Sequence, residues 1–457
     1  MTPTTNRRPA RLFGPGSIWW RLLGVALVVR AAVAPVFAQA PDLPPASPQH
    51  EHAAPDPAAP ALFPMRESSG TAWAPDTTPM FGVQRLAMGW TVMLHGQAFA
   101  QFLAESGSEH HGSHQAGSIN WGMAMARRPV GAGRLGLRLM MSAEPWTIPG
   151  CGYSNLLATG EVCDGDTIHD RQHPHDLLME VAADYDRPLV GPLRWQIYAG
   201  VAGGPALGPA AFPHRLSASP NPIAPIAHHW LDSTHVSFGV VTVGVYGPRW
   251  KAEMSAFNGR EPDERRANLD LAPLNSIAGR LSYMATGGLA LQVSAGHLSE
   301  AEGELGTVPR IDVTRATASA THHRALGAAG SWGTTVAYGV NVEEANVRSA
   351  ADARTHAVLI ETSLSLRERH SWFGRFEVVG KPAHDLHAHE FGERVFAVGK
   401  LQGGYVRHLA PRGGLVPGIG GTLSASLLPT LLAPRYGGRV APGAGVFVTI
   451  RPARHAM

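Results

Sequence analysis

The sequence predicts an all-β fold, a transmembrane antiparallel β-barrel of about 16 strands with long outer loops and short periplasmic turns. Three observations predict it. The 457 residues include 52 Gly and 37 Pro but only 16% charged residues, a poor recipe for a cytosolic enzyme. Segments beyond Met80 alternate apolar with polar or small residues, between clusters of Gly, Pro, Asp and Asn. The connections between them alternate long and short, which a soluble sandwich has no reason to produce.

The segments are 90–103, 118–128, 134–143, 176–186, 193–203, 235–247, 249–258, 274–284, 288–298, 313–323, 329–341, 355–367, 371–381, 393–408, 416–428 and 441–451. Long connections follow the odd members: 104–117, 144–175, 204–234, 259–273, 299–312, 342–354, 382–392 and 429–440. Alternation is clear where Leu289, Leu291, Val293 and Ala295 oppose Ala290, Gln292, Ser294 and Gly296. It recurs where Leu193, Trp195, Ile197, Ala199 and Val201 oppose Arg194, Gln196, Tyr198 and Gly200, and where Leu135, Leu137, Leu139 and Met141 oppose Arg134, Gly136 and Arg138. A single sheet layer with one apolar face needs lipid against that face.

The opposite face then carries Arg138, Glu180, Asp184, Arg194, Lys251, Glu253, Arg280, Glu361, Arg367, Arg375 and Glu377 toward a wet or ion-paired lumen. Facing lipid at mid-membrane, each Arg or Lys would cost about 2–4 kcal/mol. Trp90, Trp121, Trp195, Trp250, Trp332, Trp372, Tyr283 and Tyr338, near segment ends, are expected to form interfacial girdles. Met88, Met93, Met123, Met125, Met140 and Met141 could offer thioethers to Cu(I), but on strands they read as lipid-facing packing. The final strand is followed by Arg451 to Met457 rather than ending on an aromatic residue, which leaves its register open.

Ahead of the barrel (81–457), Arg7, Arg8, Arg11 and Arg21 precede the apolar run Leu22 to Val29, and Ala38-Gln39-Ala40 offers a cleavage site. Residues 1–40 therefore read as a signal peptide and the Pro-rich 41–80, with His50-Glu51-His52, as a flexible tether. Cys151 and Cys163, an even pair in an exported chain, are expected to form a disulfide worth about 3 kcal/mol. No apolar run beyond the N-terminus is long enough for a spanning helix. Lys and Arg (38) nearly balance Asp and Glu (35) and are scattered, so nucleic acid is not an expected partner.

The 23 histidines concentrate in the long connections. His110, His111 and His114 lie in the first, and His169, Asp170, His173, His175 and Asp176 in the second. The third holds His214, His228, His229, Asp232 and His235, and the fourth carries Asn258-Gly259-Arg260-Glu261-Pro262-Asp263-Glu264. Pro174 favours extended backbone before it, pointing His173 and His175 to one side. A short helix over 228–235 would put His228, Asp232 and His235 on one face. Imidazole with carboxylate suits Zn²⁺, Ni²⁺ or Cu²⁺ better than Ca²⁺. The candidate metal set is His169, Asp170, His173, His175, Asp176, His228, His229, Asp232 and His235. The same residues could instead hydrogen-bond a folded-in loop or act as acid and base.

The strings Glu67-Ser68-Ser69-Gly70-Thr71-Ala72-Trp73, His169 to Asp176, His228 to His235 and Phe257 to Asp263 resemble those of an uncharacterised family of proteobacterial outer-membrane barrel proteins. That resemblance spans most of the chain after residue 40 and implies a Gram-negative outer membrane, with its lipid and barrel-assembly machinery as partners. It assigns no activity. The leading expectation is a porin-like barrel for passage or binding of a small solute, a transition-metal ion among the candidates. A hydrolase or lipid-modifying enzyme using the same rim, and a structural barrel with a filled lumen, are the alternatives. No nucleophile motif and no metalloprotease helix favours the enzyme.

Overall fold

The computed structural model describes residues 66–108, 111–304, 308–344 and 352–454. The expected signal peptide, the tether up to residue 65 with His50 and His52, and His110 lie outside them. The elements in chain order are β1 (Val83–Ala87), β2 (Trp90–Glu105), β3 (Ser113–Val130), β4 (Gly133–Met141), α1 (Glu144–Thr147), β5 (Tyr153–Cys163), β6 (Asp166–Gln172), β7 (Leu178–Pro188), β8 (Arg194–Gly203) and α2 (His228–Leu231). There follow β9 (Ser237–Tyr246), β10 (Trp250–Phe257), β11 (Ser276–Thr286), β12 (Leu289–Glu304), β13 (Val308–Ala325), β14 (Ser331–Glu343), β15 (Ala353–Leu366), β16 (His370–Pro382), β17 (Val395–His408), β18 (Leu415–Leu427) and β19 (Val440–Pro452).

Sixteen of these strands, β2–β4 and β7–β19, pair antiparallel with their neighbours into a closed barrel. Closure is made by β19 on β2, from Gly443 opposite Glu105 to Ile450 opposite Ala98. Further along the same edge β2 pairs with the short β1, Val83 opposite Leu94. The C-terminal tail therefore does not disturb the last register, which runs unbroken on β18 from Val440 to Pro452.

Strand alternation sorts the two faces. On β11, Ile277 (62% exposed), Leu281 (49%) and Tyr283 (43%) point out, while Ala278, Arg280, Ser282 and Met284 are buried inside. On β19, Val446, Val448 and Ile450 point out against buried Phe447 and Thr449. The result is an outer apolar belt that lipid solvates. Inside, charges pair across strands: Glu253 faces Arg280, Glu361 faces Arg375 and Glu377 faces Lys400. Substituting Leu281, midway along its strand, by Arg is expected to lower barrel stability by about 2–4 kcal/mol, and Ile277→Arg near the outer rim by ~0–1 kcal/mol. Urea unfolding of the two variants in micelles reads that difference.

Several expectations are corrected. Arg367 lies exposed in the turn after β15, because the chain has already left the membrane there. Trp121 faces inward beside His95 and His214 rather than joining a girdle. Met93, Met123, Met125 and Met140 are buried in the lumen in one cluster, and Met88 sits 99% exposed in the β1–β2 turn. The outward positions of β3 between the methionines are Gly122, Ala124 and Ala126, so small residues meet lipid there. The expected loop 299–312 is largely strand, since β12 and β13 run past the belt with register shifts after Leu298. Connection 144–175 holds the β5–β6 hairpin, whose β5 is spanned by the Cys151–Cys163 disulfide.

Residues 66–80, read as tether, are packed within the wall. Glu67 pairs with Arg127 at 2.8 Å, Arg138 donates to the Gly70 carbonyl at 2.6 Å, and Arg280 donates to Thr71 Oγ1 at 2.8 Å. These inward cations hold a segment that turns back on itself between Glu67 and Trp73 and whose own side chains are mostly small.

Candidate metal centre in the lumen

The connection between β8 and β9, residues 204–236, folds into the barrel. Its Ala, Gly, Ser and Pro content makes it slim enough to be buried on all sides. At Gly208, φ is +79° and a Cβ would meet the Leu231 carbonyl oxygen at 2.0 Å, so only glycine lets the two ends of the loop approach. The wall holds it by side chains: Ser255 Oγ accepts from Ala206 N (2.7 Å), Ser294 Oγ from Gly208 N (2.9 Å) and Glu377 from Ala227 N (3.0 Å). Trp230 Nε1 donates to Thr355 at 2.8 Å, and Asn221 donates to Gln402 at 2.6 Å. The loop thus spans from β10 to β17 across the interior.

Arg215 is its central latch. Its Nε lies 2.6 Å from Glu361 and its Nη1 lies 2.5 Å from Asp232. Asp232 Oδ2 also accepts from Phe212 N at 2.8 Å, and Oδ1 pairs with His228 Nδ1 at 2.9 Å. Both oxygens of Asp232 are therefore engaged. The helix expected over 228–235 is one α-turn, α2, followed by a 3-10 turn at Ser233–His235. It still brings His228 and His235 together, with ring centroids 5.2 Å apart.

Against this turn packs the segment after β6. The His173 ring lies 6.1 Å from that of His228 and 5.7 Å from that of His229, and the His175 ring lies 5.3 Å from that of His235. His175 Nδ1 is fixed by Glu144, at the start of α1, at 3.0 Å, and Glu144 also accepts from His175 N. Gly160 on β5 has φ +117°, and a Cβ there would strike the His229 ring at 2.3 Å, so the hairpin and the ring close only on glycine.

Five imidazoles thus share one interior pocket with acidic groups from other loops. His173 Nε2 is 3.2 Å from Glu161, and His229 Nδ1 is 2.6 Å from Glu261, yet neither pair has hydrogen-bond geometry. Among the described residues, the buried Nε2 atoms of His228, His229 and His235 find no hydrogen-bond partner. His229, Glu261 and Glu302 bring ligand atoms within 4.8 Å of one another. Orphaned buried nitrogens facing carboxylate oxygens are what a divalent ion would satisfy.

Burial sets the protonation states. Desolvation pushes His228 and His229 down to about 4 and His173 well below its ordinary value, so the rings are neutral and able to ligate. Asp176 is pushed up to about 7, chiefly by burial, against the pull of Arg266 at 3.6 Å. Glu161 is raised by burial and by the charge of Glu261, and Glu261 by burial and by the charge of Asp385.

His169 and Asp170 join a second group instead. His111 Nδ1 is 2.6 Å from Asp170, which also accepts from Leu157 N, and ligand atoms of His111, His169 and Asp170 lie within 4.8 Å of one another. Tyr436 stacks on His111 and His387 on His169. Asp176 joins neither group and lies 3.6 Å from Arg266. Glu144, Glu161, Glu302 and His387 come from positions that carry no motif.

No family model matches the chain, and no curated relative does. Solved structures of similar architecture include an anion-selective porin from Comamonas acidovorans (12% identity, 79% of this chain and 99% of that one covered, TM-score 0.44). Others are the outer membrane channel DcaP of Acinetobacter baumannii (11%, 81% and 100%, 0.44) and Salmonella typhi OmpF in complex with daunomycin (10%, 81% and 100%, 0.46).

Proposed function

We propose that this chain is a porin-like barrel of a Gram-negative outer membrane whose lumen binds and admits a small solute, a divalent transition-metal ion being the class its donors fit. The observation that carries this reading is the buried set His173, His228, His229 and His235, with His173 beside Glu161 and His229 beside Glu261, whose ring nitrogens include several without a hydrogen-bond partner among the described residues. Supporting it, three of the four histidines lie on the loop that crosses the lumen, and that loop is latched by Arg215 through Asp232 and Glu361. Mixed imidazole and carboxylate donors suit Zn²⁺, Ni²⁺ or Cu²⁺. Planar-bilayer recording tests it: wild type should conduct, and micromolar Zn²⁺ should change that conductance. His173→Ala/His229→Ala should conduct without responding to Zn²⁺. A barrel that conducts nothing under any condition, or responds equally in both forms, would refute the reading.

A further inference from the structure

A second group of donors lies in the lumen on other strands than the imidazole and carboxylate cluster, and among the described residues it contains no free carboxylate. One row across three adjacent strands carries His95 on β2, Met123 opposite it on β3, and Met140 opposite Met123 on β4. Directly paired positions on one sheet face stand about 4.5–5.5 Å apart. From the crossing loop His214 comes down on this row, its Nε2 3.4 Å from Met140 Sδ and its ring 5.8 Å from that of His95. His95 Nε2 is buried with no hydrogen-bond partner among the described residues.

The surroundings hold these groups in place and leave room beside the two imidazoles. Trp121 packs its ring 5.3 Å from His95 and 4.8 Å from His214. Gln84 Nε2 reaches two further thioethers, Met80 Sδ at 2.9 Å and Met93 Sδ at 3.8 Å. A cavity of about 140 Å³ opens against Met80, Met93, His95, Trp121 and His214. Glu67, Arg215 and Arg451 also border it; the carboxylate is paired with Arg127 and Arg138, and Arg215 with Asp232 and Glu361.

We propose that His95, Met123, Met140 and His214 bind a single soft monovalent ion, Cu(I) or Ag(I). Thioether sulfur selects soft d¹⁰ ions over Zn²⁺, Ca²⁺ or Mg²⁺. Four neutral donors in a buried site suit a single positive charge, whereas a divalent ion would keep an uncompensated charge out of water. The face of Trp121 adds attraction for a cation beside it. Packing alone accounts for methionines in a core, but it does not account for a buried imidazole nitrogen left unpaired on the same row.

The test uses the whole barrel refolded in detergent micelles. Silver nitrate in chloride-free buffer serves as the redox-inert probe, and Cu(I) is added anaerobically with ascorbate and a chromophoric competitor. Wild type should take up one tight equivalent of Ag(I) with quenching of tryptophan emission, and Trp121→Phe should lose most of that quenching. Met123→Leu/Met140→Leu conserves volume and should fold, yet lose affinity by roughly a hundredfold or more. His173→Ala/His229→Ala should keep the Ag(I) site, so failure here and failure of the divalent-metal reading are separable. X-ray absorption on silver-loaded wild type should show sulfur neighbours whatever the variants do. Absence of stoichiometric binding, equal affinity in the double Leu variant, or a metal shell without sulfur would overturn the proposal.

Discussion

Arg215→Ala should release the crossing loop while the barrel survives. The guanidinium is 2% exposed and joins Asp232 on the loop to Glu361 on β15, with a further bond to the Ala210 carbonyl at 2.9 Å. Removing one member of a buried ion pair leaves its partners uncompensated, which costs about 3–5 kcal/mol. Arg375, 3.2 Å from Glu361, answers only part of that charge. The wall itself rests on continuous backbone ladders from β2 to β19, so the loss should fall on the loop. Expected results are a larger single-channel conductance and new proteolysis within 204–236, with far-ultraviolet dichroism unchanged. Arg215→Met/Glu361→Gln, which removes charge from both sides, should recover part of the stability. Unaltered conductance and protease resistance in Arg215→Ala would mean that the latch holds nothing.

Zinc affinity should rise with pH through neutrality, and the sign follows from which groups hold protons. His228 and His229, with values near 4, are neutral ligands at pH 6 and above and contribute no further pH dependence there. Asp176, near 7, together with the raised Glu161 and Glu261, holds protons at pH 6 that a bound cation must displace. Affinity should therefore climb between about pH 6 and 8, with proton release on binding that vanishes at the upper end. Glu261→Gln removes one such carboxylate, so it should bind more weakly, by about 10–100-fold, and release fewer protons. Calorimetry in buffers of different ionisation enthalpy counts those protons. Affinity independent of pH in this window would place the ion elsewhere.

The sixteen barrel strands were legible because each has lipid on one side and a charged lumen on the other, a contrast that writes itself as alternation. The β5–β6 hairpin was not legible, since nearly every residue from Tyr153 to Cys163 is buried and no period of two remains. On β3 the rule reverses: Met123 and Met125 face inward while Gly122, Ala124 and Ala126 face lipid, and hydrophobicity alone cannot say which side is which. Of the candidate metal set, adjacency in sequence found His173, His175, His228, His229 and His235 in one pocket, but could not show that Asp232 is committed to Arg215. Glu144 and Glu161 reach the histidines only through the folding of their connection, a long-range event that no local spacing encodes.

The most direct test is calorimetric titration of the refolded barrel with Zn²⁺, Ni²⁺ and Cu²⁺, beside a variant with His173, His175, His229 and His235 replaced by Ala. Tight binding in wild type that the variant loses, with its barrel dichroism intact, is the predicted result. No binding in either protein, or equal binding in both, would contradict a metal centre in the lumen and leave these histidines as the hydrogen-bonding fabric of a folded-in loop.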